Sequence, residues 1–532
     1  MSAAAAVRGL SAVAAPLLLS GCMVGPIFQV PPAPAASGYT VEAQLQPAMA
    51  TEIAGGAPQT FVEALDVGGQ WWREFNSAQI DAFVEEAVRN HPDVRAAQYA
   101  LRAAREIALQ VRGELVPQIT GNVSATREQV TAAAGGTTGK PTLYNLYETT
   151  VNVSYTLDVF GGVRRQMESA EAQAQYERFE MEATYLSLTA NVVTSAITDT
   201  SLRAQIAATQ AIVTAETDQL RRVQRQFEVG AVSRADVLAQ QATLAQTQAT
   251  LPPLQKQLAQ GRNQLMAYLG RLPSQDRGES VDLASLRLPR ALPVSLPSKL
   301  VRQRPDIRQA EATLHQAAAT VGVHTANLLP QLTLTPSVSY QGLNVGQLFT
   351  PDGLAWTAAA SITQTLLDGG QLYRTKEASV AVFEQEYALY QGTVLTAFQN
   401  VADALRAVQY DAATLRAQAL SEESALDSLN MAQEQFKIGA IGYAIVITAQ
   451  QTYQNAVIAR IQAQATRYKD TVALFQALGG GWWNRNDETR DAAPRNGRYF
   501  EGPDGPALAA TQQGPPDASS TAEPGIAKEN SR

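Results

Sequence analysis

One cysteine, Cys22, is all that this chain carries, which excludes any disulfide within it. Its three histidines, His91, His315 and His324, show no metal-ligand spacing. Gly139-Lys140 has the ending of a phosphate-binding loop, but position 134 is Ala where the first Gly should stand. Scattered Ser, His and Asp residues form no nucleophile motif. The reading is therefore of a chain that is not an enzyme, needs no cofactor and cannot itself hydrolyse ATP. A basic surplus is missing too. The formal charge is −8, from 41 basic and 49 acidic residues, which argues against nucleic acid as a partner. Long hydrophobic runs are lacking: the apolar stretch over residues 2–19 is too short to span a bilayer. Finally, Pro and Gly are absent from about residue 165 up to Val229-Gly230, so nothing there interrupts a helix.

What is present reads twice. Pro92-Asp93-Val94-Arg95 recurs as Pro305-Asp306-Ile307-Arg308, and Val116-Pro117-Gln118 as Leu329-Pro330-Gln331, both at an offset of 213 (305 − 92). Phe227-Glu228-Val229-Gly230-Ala231 recurs as Phe436-Lys437-Ile438-Gly439-Ala440, and Leu269-Gly270 as Leu478-Gly479, at an offset of 209 (436 − 227). Solenoid units run to about 20–50 residues, so a period of this length means a duplicated half.

Each half has an α-β-α pattern: residues 71–290 form the first repeat and 291–483 the second. Apolar positions at helical spacing fill residues 78–114, with Pro92 suited to a first turn and Pro117 as the stop. Strand alternation follows in hairpins predicted over 117–158 and 330–367. Ile119, Val123, Val151, Val153, Tyr155 and Leu157 face one way, and Thr120, Asn122, Ser124, Asn152, Ser154 and Thr156 the other. In the second hairpin Leu332, Leu334, Val338, Tyr340, Trp356 and Ile362 oppose Thr333, Ser337, Ser339, Thr357, Ser361 and Thr363. Gly161-Gly162 and Gly369-Gly370 end the hairpins. Very long helices are then expected to Gly230 and Gly439, with return helices over 233–268 and 442–477. Pro252-Pro253 is expected to kink the first return. These helices carry too many charges for lipid and must pack on others along their length.

The strands force an assembly. One apolar and one polar face suit a membrane barrel with a wet lumen, yet open edges find no water in a bilayer. Four strands are too few to close, since membrane barrels start at about eight. Strands from more than one chain are needed: two copies give a filled interior, while three leave room for a lumen. A soluble sandwich with its polar face outward is the alternative that the alternation alone permits.

The ends carry their own signals. Residues 1–21 read as a signal peptide leading into Leu19-Ser20-Gly21-Cys22, which resembles a bacterial lipobox with Cys22 as the lipidation site. Position 23 is Met rather than Asp, which by resemblance to bacterial lipoprotein sorting rules favours the outer membrane. Residues 22–70 read as a lipid-anchored extended strap, and 484–532 as a disordered tail.

With the lipobox and Val24-Gly25-Pro26, the chain has Trp72-Arg73-Glu74-Phe75, Arg304-Pro305-Asp306-Ile307, Leu329-Pro330-Gln331-Leu332 and Ala477-Leu478-Gly479-Gly480-Gly481-Trp482. This ordered set resembles the TolC-like outer-membrane efflux channels over roughly residues 22–483, in particular the lipoprotein branch that includes OprM and NodT. Leu251-Pro252-Pro253-Leu254 resembles the NodT branch. The resemblance implies a mainly α fold with a transmembrane β-barrel, in which a homotrimer sets a twelve-stranded barrel on a long α-helical barrel. It also implies passive export of small molecules, in partnership with a periplasmic adaptor and an inner-membrane pump of the RND type. The adaptor-contacting tips would be Val229, Gly230, Ala231 and Ser233 in one half, and Ile438, Gly439, Ala440 and Gly442 in the other. Acidic residues often narrow the pore in this family. The second half has Ile445 and Thr448 at the corresponding positions, which leaves Asp236 as the candidate pore aperture. An ordinary helix-start Asp is the competing reading of that residue. A lipid-anchored periplasmic scaffold without a pore is the alternative function, and it would have no use for four strands with lipid-compatible faces.

Overall fold

The computed structural model describes residues 23–36, 38–40, 48, 50–131, 138 and 140–485. The signal segment, Cys22 and the tail from 486 onward lie outside the described residues, as does most of the loop at 132–139. No helix among the described residues is long and apolar enough to cross a membrane.

The duplication is realised in matching lengths. Helices α1 (Ala78–Asn90) and α2 (Pro92–Arg112) precede the first hairpin, β2 (Gln118–Val130) and β3 (Thr142–Leu157). Then come α3 (Gly162–Glu228, 67 residues) and α4 (Arg234–Tyr268, 35 residues). The second half has α5 (Pro297–Gln303), α6 (Pro305–Ala326), α7 (Gln371–Lys437, again 67 residues) and α8 (Tyr443–Ala477, again 35 residues). At 1.5 Å per residue the long helices run about 100 Å and the returns about 50 Å. Both long helices start behind a glycine in the left-handed region, Gly161 at φ 78° and Gly370 at φ 84°. An aspartate before each glycine closes the first turn. Asp158 accepts from Val163 N at 2.9 Å and Arg164 N at 3.2 Å, and Asp368 accepts from Gly370 N and Leu372 N at 2.8 Å. A carboxylate there also meets the positive end of the helix dipole.

Local structure fills in these expectations. Pro92 does open a helix, α2: the residue before it, His91, is extended (ψ 129°), because a residue before proline is pushed out of the helical region, and its Nδ1 caps Asp93 N at 3.2 Å. Pro252-Pro253, where a kink is expected, lie inside α4, which continues through both to Tyr268. The threonine hydroxyls around the prolines turn back onto the helix, Thr247 Oγ1 to Thr243 O and Thr250 Oγ1 to Thr247 O. Toward the far end of the strap is a strand, β1 (Thr60–Glu63), paired in parallel with β4 (Ala291–Val294).

The core lies where the halves meet. Trp71, Trp72 and Phe75 are buried, with Trp71 stacked on Phe475 at 5.4 Å, so the Trp-Arg-Glu-Phe motif is a packing element. The glycine-rich end of α8 folds back over it: Trp482 Nε1 donates to Gln303 O at 2.6 Å and Arg485 forms a fully buried pair with Glu182 at 2.7 Å.

The second hairpin is interrupted where the first is continuous. Pro336 splits its first strand into β5 (Gln331–Leu334) and β6 (Ser337–Gly342), and the return strand breaks opposite it into β7 (Leu354–Thr357) and β8 (Ala360–Thr363). Thr335 N still donates to Ala359 O at 2.8 Å, so the sheet runs on across the break. Its order is β2, β3, then β5 with β6, then β7 with β8, antiparallel throughout.

Candidate functional site

The sheet sorts its residues by chemistry. Paired residues share a face, and the row Gly121, Val151, Val338, Trp356 is apolar while the adjacent row Thr120, Asn152, Ser337, Thr357 is polar. The apolar face is bare: Ile119 is 69% exposed, Val123 76%, Trp356 72% and Ile362 73%. An apolar surface that continuous needs a cover, and hydrocarbon is the one its alternation fits. Both edges are open. Among the described residues, β2 pairs only with β3, and β7 and β8 pair only with β6 and β5.

The chain just behind Cys22 is pinned beside this sheet. Val24 N donates to Phe160 O at 3.1 Å, and the buried Arg165 donates to Val24 O at 3.0 Å and Gly25 O at 3.2 Å while paired with Glu168 at 2.7 Å. Phe28 stacks on His315 at 4.3 Å, and His315 Nε2 lies 2.9 Å from Glu168 Oε1. Cys22 itself lies outside the described residues.

About 100 Å along α3 from the sheet are the two turns. Each is the same motif. Gly230 N donates to Phe227 O and Ala231 N to Gln226 O, and Gly439 N donates to Phe436 O and Ala440 N to Gln435 O, all at 2.8–2.9 Å. That is a Schellman close, and both glycines sit at φ +75°. Val229 and Ile438 are each 80% exposed, and a Cβ built on either glycine meets nothing within 4 Å. Val232 and Ile441 pack into one cluster with Val223, Leu429, Tyr443 and Val446, so both turns belong to the same end. Ser233, Ala440 and Gly442 are at least partly exposed around them.

Asp236 is bound into its helix start. Ser233 N and Oγ both donate to Asp236 Oδ2, at 2.9 and 2.7 Å, and Ser233 Oγ accepts from Asp236 N at 3.2 Å. This capping box is half-buried at Asp236. Ile445 and Thr448 lie exposed on α8.

Polar groups buried inside the helical part were not anticipated. Near the turns, Tyr443 Oη donates to Gln240 Oε1 at 2.6 Å, and burial pushes its phenol up to about 12. Farther up, Glu216 is fully buried and accepts from Thr247 Oγ1 at 3.1 Å; burial raises its carboxyl despite that bond. Midway along α7, Asp411 is pushed up to about 7 by burial first and then by the bond and charge of Asp470 on α8, with Arg467 opposing. Arg467 is itself fully buried and donates to Gly55 O and Ala57 O, both at 2.7 Å, which ties the strap to α8. Such groups come from separate elements, so no local spacing announces them. Among the described residues no cluster of His, Cys, Asp and Glu could hold a metal.

Residues 83–271 and 296–480 match the family model "Outer membrane efflux protein". The chain is 26% identical over 486 residues to a toluene efflux pump outer membrane protein, TtgC, of Pseudomonas putida, covering 91% of this chain and 98% of that one. It is 29% identical over 486 residues to nodulation protein T of Rhizobium leguminosarum bv. viciae, covering 89% and 93%. Among solved structures, the outer-membrane channel OprN superposes with a TM-score of 0.79 at 24% identity, covering 87% of this chain and all of that one.

Proposed function

The chain belongs to the outer membrane efflux protein family and is an efflux channel of the outer membrane, and from that premise we propose that three copies close one passive export duct. Their hairpins form a twelve-stranded barrel whose apolar faces meet lipid and whose Ser, Thr and Asn faces line a wet lumen. Below it, the α3–α4 and α7–α8 hairpins of three chains form a twelve-helix tunnel. The observation that carries this reading is the two-faced sheet with both edges unpaired among the described residues, since a bilayer tolerates such a sheet only when it closes on further strands.

Cys22 carries the lipid in this reading. Only Met23 separates it from Val24, and the contacts of Arg165 then hold the acyl chains beside the barrel's own strands. The exposed turns, Val229 to Ser233 and Ile438 to Gly442, receive a periplasmic adaptor, which couples the duct to an inner-membrane pump of the RND type. Side-chain-free glycines at their apices let a partner helix approach closely. Asp236, three-fold around the axis, stands at the aperture. The roles in the relatives' names, toluene efflux and nodulation, differ widely. A generic polar lumen serves such different exports, which leaves the choice of substrate to the pump.

Purified protein reconstituted in planar bilayers tests the duct. Discrete conductance steps are expected. Electrical silence from folded, SDS-resistant trimers would sink the proposal.

A further inference from the structure

The duplication can be used as a ruler for what lies across the chain's open edges. The two hairpins have the same internal register: Gln118 pairs with Ser154 and Gln331 with Thr363, offsets of 213 (331 − 118) and 209 (363 − 154). The pairs Ala125–Tyr147 and Val338–Trp356 obey the same two offsets. So do the helices, α2 to α6 at 213 (305 − 92) and α3 to α7 at 209 (371 − 162).

Inside the chain, the first half docks on the second in a defined way. Tyr155, Thr156 and Leu157 of β3 pair with Leu334, Thr333 and Leu332 of β5, and the two threonine hydroxyls lie 3.2 Å apart. Just beyond, Glu168 of α3 meets His315 of α6 at 2.9 Å. Among the described residues, the second half has no such neighbour. Strand β8 stops at Thr363, Leu366 is 92% exposed, and α7 buries 13 residues where the equally long α3 buries 22, so one flank of α7 lacks its cover. At the opposite edge of the sheet, β2 pairs only with β3 among the described residues.

Carrying the internal contacts across by the two offsets keeps the chemistry of two of the three strand pairs and of the ion pair, while Tyr155–Leu334 becomes a small polar pair. Leu157 becomes Leu366 and Leu332 becomes Ile119, which is 69% exposed. Thr156 and Thr333 become Thr365 and Thr120, and Tyr155 and Leu334 become Gln364 and Gly121. Glu168 becomes Glu377, and His315 becomes Arg102 on α2. An apolar pair maps to an apolar pair, a threonine pair to a threonine pair, and an acid facing a base to an acid facing a base. A slip by one residue would set Leu366 against Thr120 or Gln118 and turn every side chain to the wrong face, so only even slips compete.

We infer that a second copy of this chain adds its β2 to the β8 edge in the register Leu366–Ile119, Thr365–Thr120 and Gln364–Gly121, and seats its α2 on α7 with Arg102 facing Glu377. Residues 364–366 are thus the continuation of β8, left without a ladder in the single chain because their partner strand belongs to the neighbour. This rests on the proposed closure by several copies and specifies its register.

Disulfide trapping in outer-membrane preparations tests it, since Cys22 is the one native cysteine. Directly opposed strand residues bring their Cβ atoms within disulfide reach. Ile119→Cys with Leu366→Cys should give a ladder of covalent dimers and trimers on non-reducing denaturing gels, and Ile119→Cys with Gln364→Cys should not. The reverse pattern, or no ladder from either pair while amine cross-linking still captures trimers, overturns the register alone. Absence of trimers in amine cross-linking of the unaltered chain overturns the assembly itself. A charge exchange gives a second readout free of cysteine. Glu377→Arg or Arg102→Glu alone should weaken the trimer's resistance to denaturant, and the double exchange should restore it. Lys376, 3.0 Å from Glu377 within the chain, cannot produce that rescue; a double variant no better than the singles overturns the pairing.

Discussion

At Gly230 and Gly439 one residue answers two demands. The turn needs φ near +75°, which costs a β-branched side chain about 1 kcal/mol or more, and the apex needs a bare surface for a partner. Space inside the turn is not limiting, because a Cβ there touches nothing. Gly230→Val and Gly439→Val should therefore leave SDS-resistant trimers while abolishing export, read as drug or dye retention in intact cells. Normal export by both variants would remove the adaptor role from the tips. These glycines are legible in the sequence because a turn is a local event. Asp411 and Asp470 are not, since two helices bring them together. A carboxyl raised to about 7 keeps a proton that the unfolded chain has already released near its ordinary value of 3.8. Its stabilisation is complete below that ordinary value and is lost as pH rises through 7. The apparent melting temperature should accordingly fall between pH 5 and pH 8, and Asp411→Asn should flatten that fall. An unchanged slope in the variant would show that the pair does not titrate in this range.

Among the elements, the strands are where sequence and structure agree most closely and where the disagreement teaches most. Alternation assigns Trp356 to the apolar face and Thr357 to the polar one, and the register places them in opposite rows. Arg at a lipid-facing midplane position costs about 2–4 kcal/mol, while a lumen position tolerates it. Trp356→Arg should lower the yield of folded trimers in the outer membrane and their urea midpoint, whereas Thr357→Arg should change conductance with little effect on either. Equal damage from both would mean that the faces are not sorted as lipid and lumen. Alternation could not foresee the break at Pro336, because the pairing survives it through Thr335 and Ala359. The division at His91 is legible by contrast, because Pro92 suits a helix's first turn and pushes the residue before it out of the helical region. Periodicity reports which face is apolar, whereas the break at Pro336 depends on backbone groups whose partners lie farther along the chain.

For the whole molecule, the repeat would make the proposed trimer six-fold only where the halves agree, and they differ at the turns. The first return helix starts with Ser233 and Asp236 in a capping box, while the second starts at Gly442 with no side-chain cap. Only the first return helix therefore starts with an acid, and a trimer would set three copies of Asp236 around its axis. The capping role and the aperture role of Asp236 can be separated, because the cap depends on both partners of the box and the charge on Asp236 alone. Replacing Ser233 by Ala removes a cap worth about 1 kcal/mol but leaves the three carboxylates in place. Replacing Asp236 by Asn removes the charge and retains an oxygen that can accept from Ser233 N. In planar bilayers, Asp236→Asn should shift the reversal potential in a salt gradient toward lower cation selectivity, and Ser233→Ala should leave it unchanged. A ring of three carboxylates in a constriction acts on every ion that passes, whereas a solvated helix cap acts on none. Identical selectivity in both variants and the unaltered chain would make Asp236 a helix cap and nothing more, and would place the narrowest part of the duct elsewhere along α4 and α8.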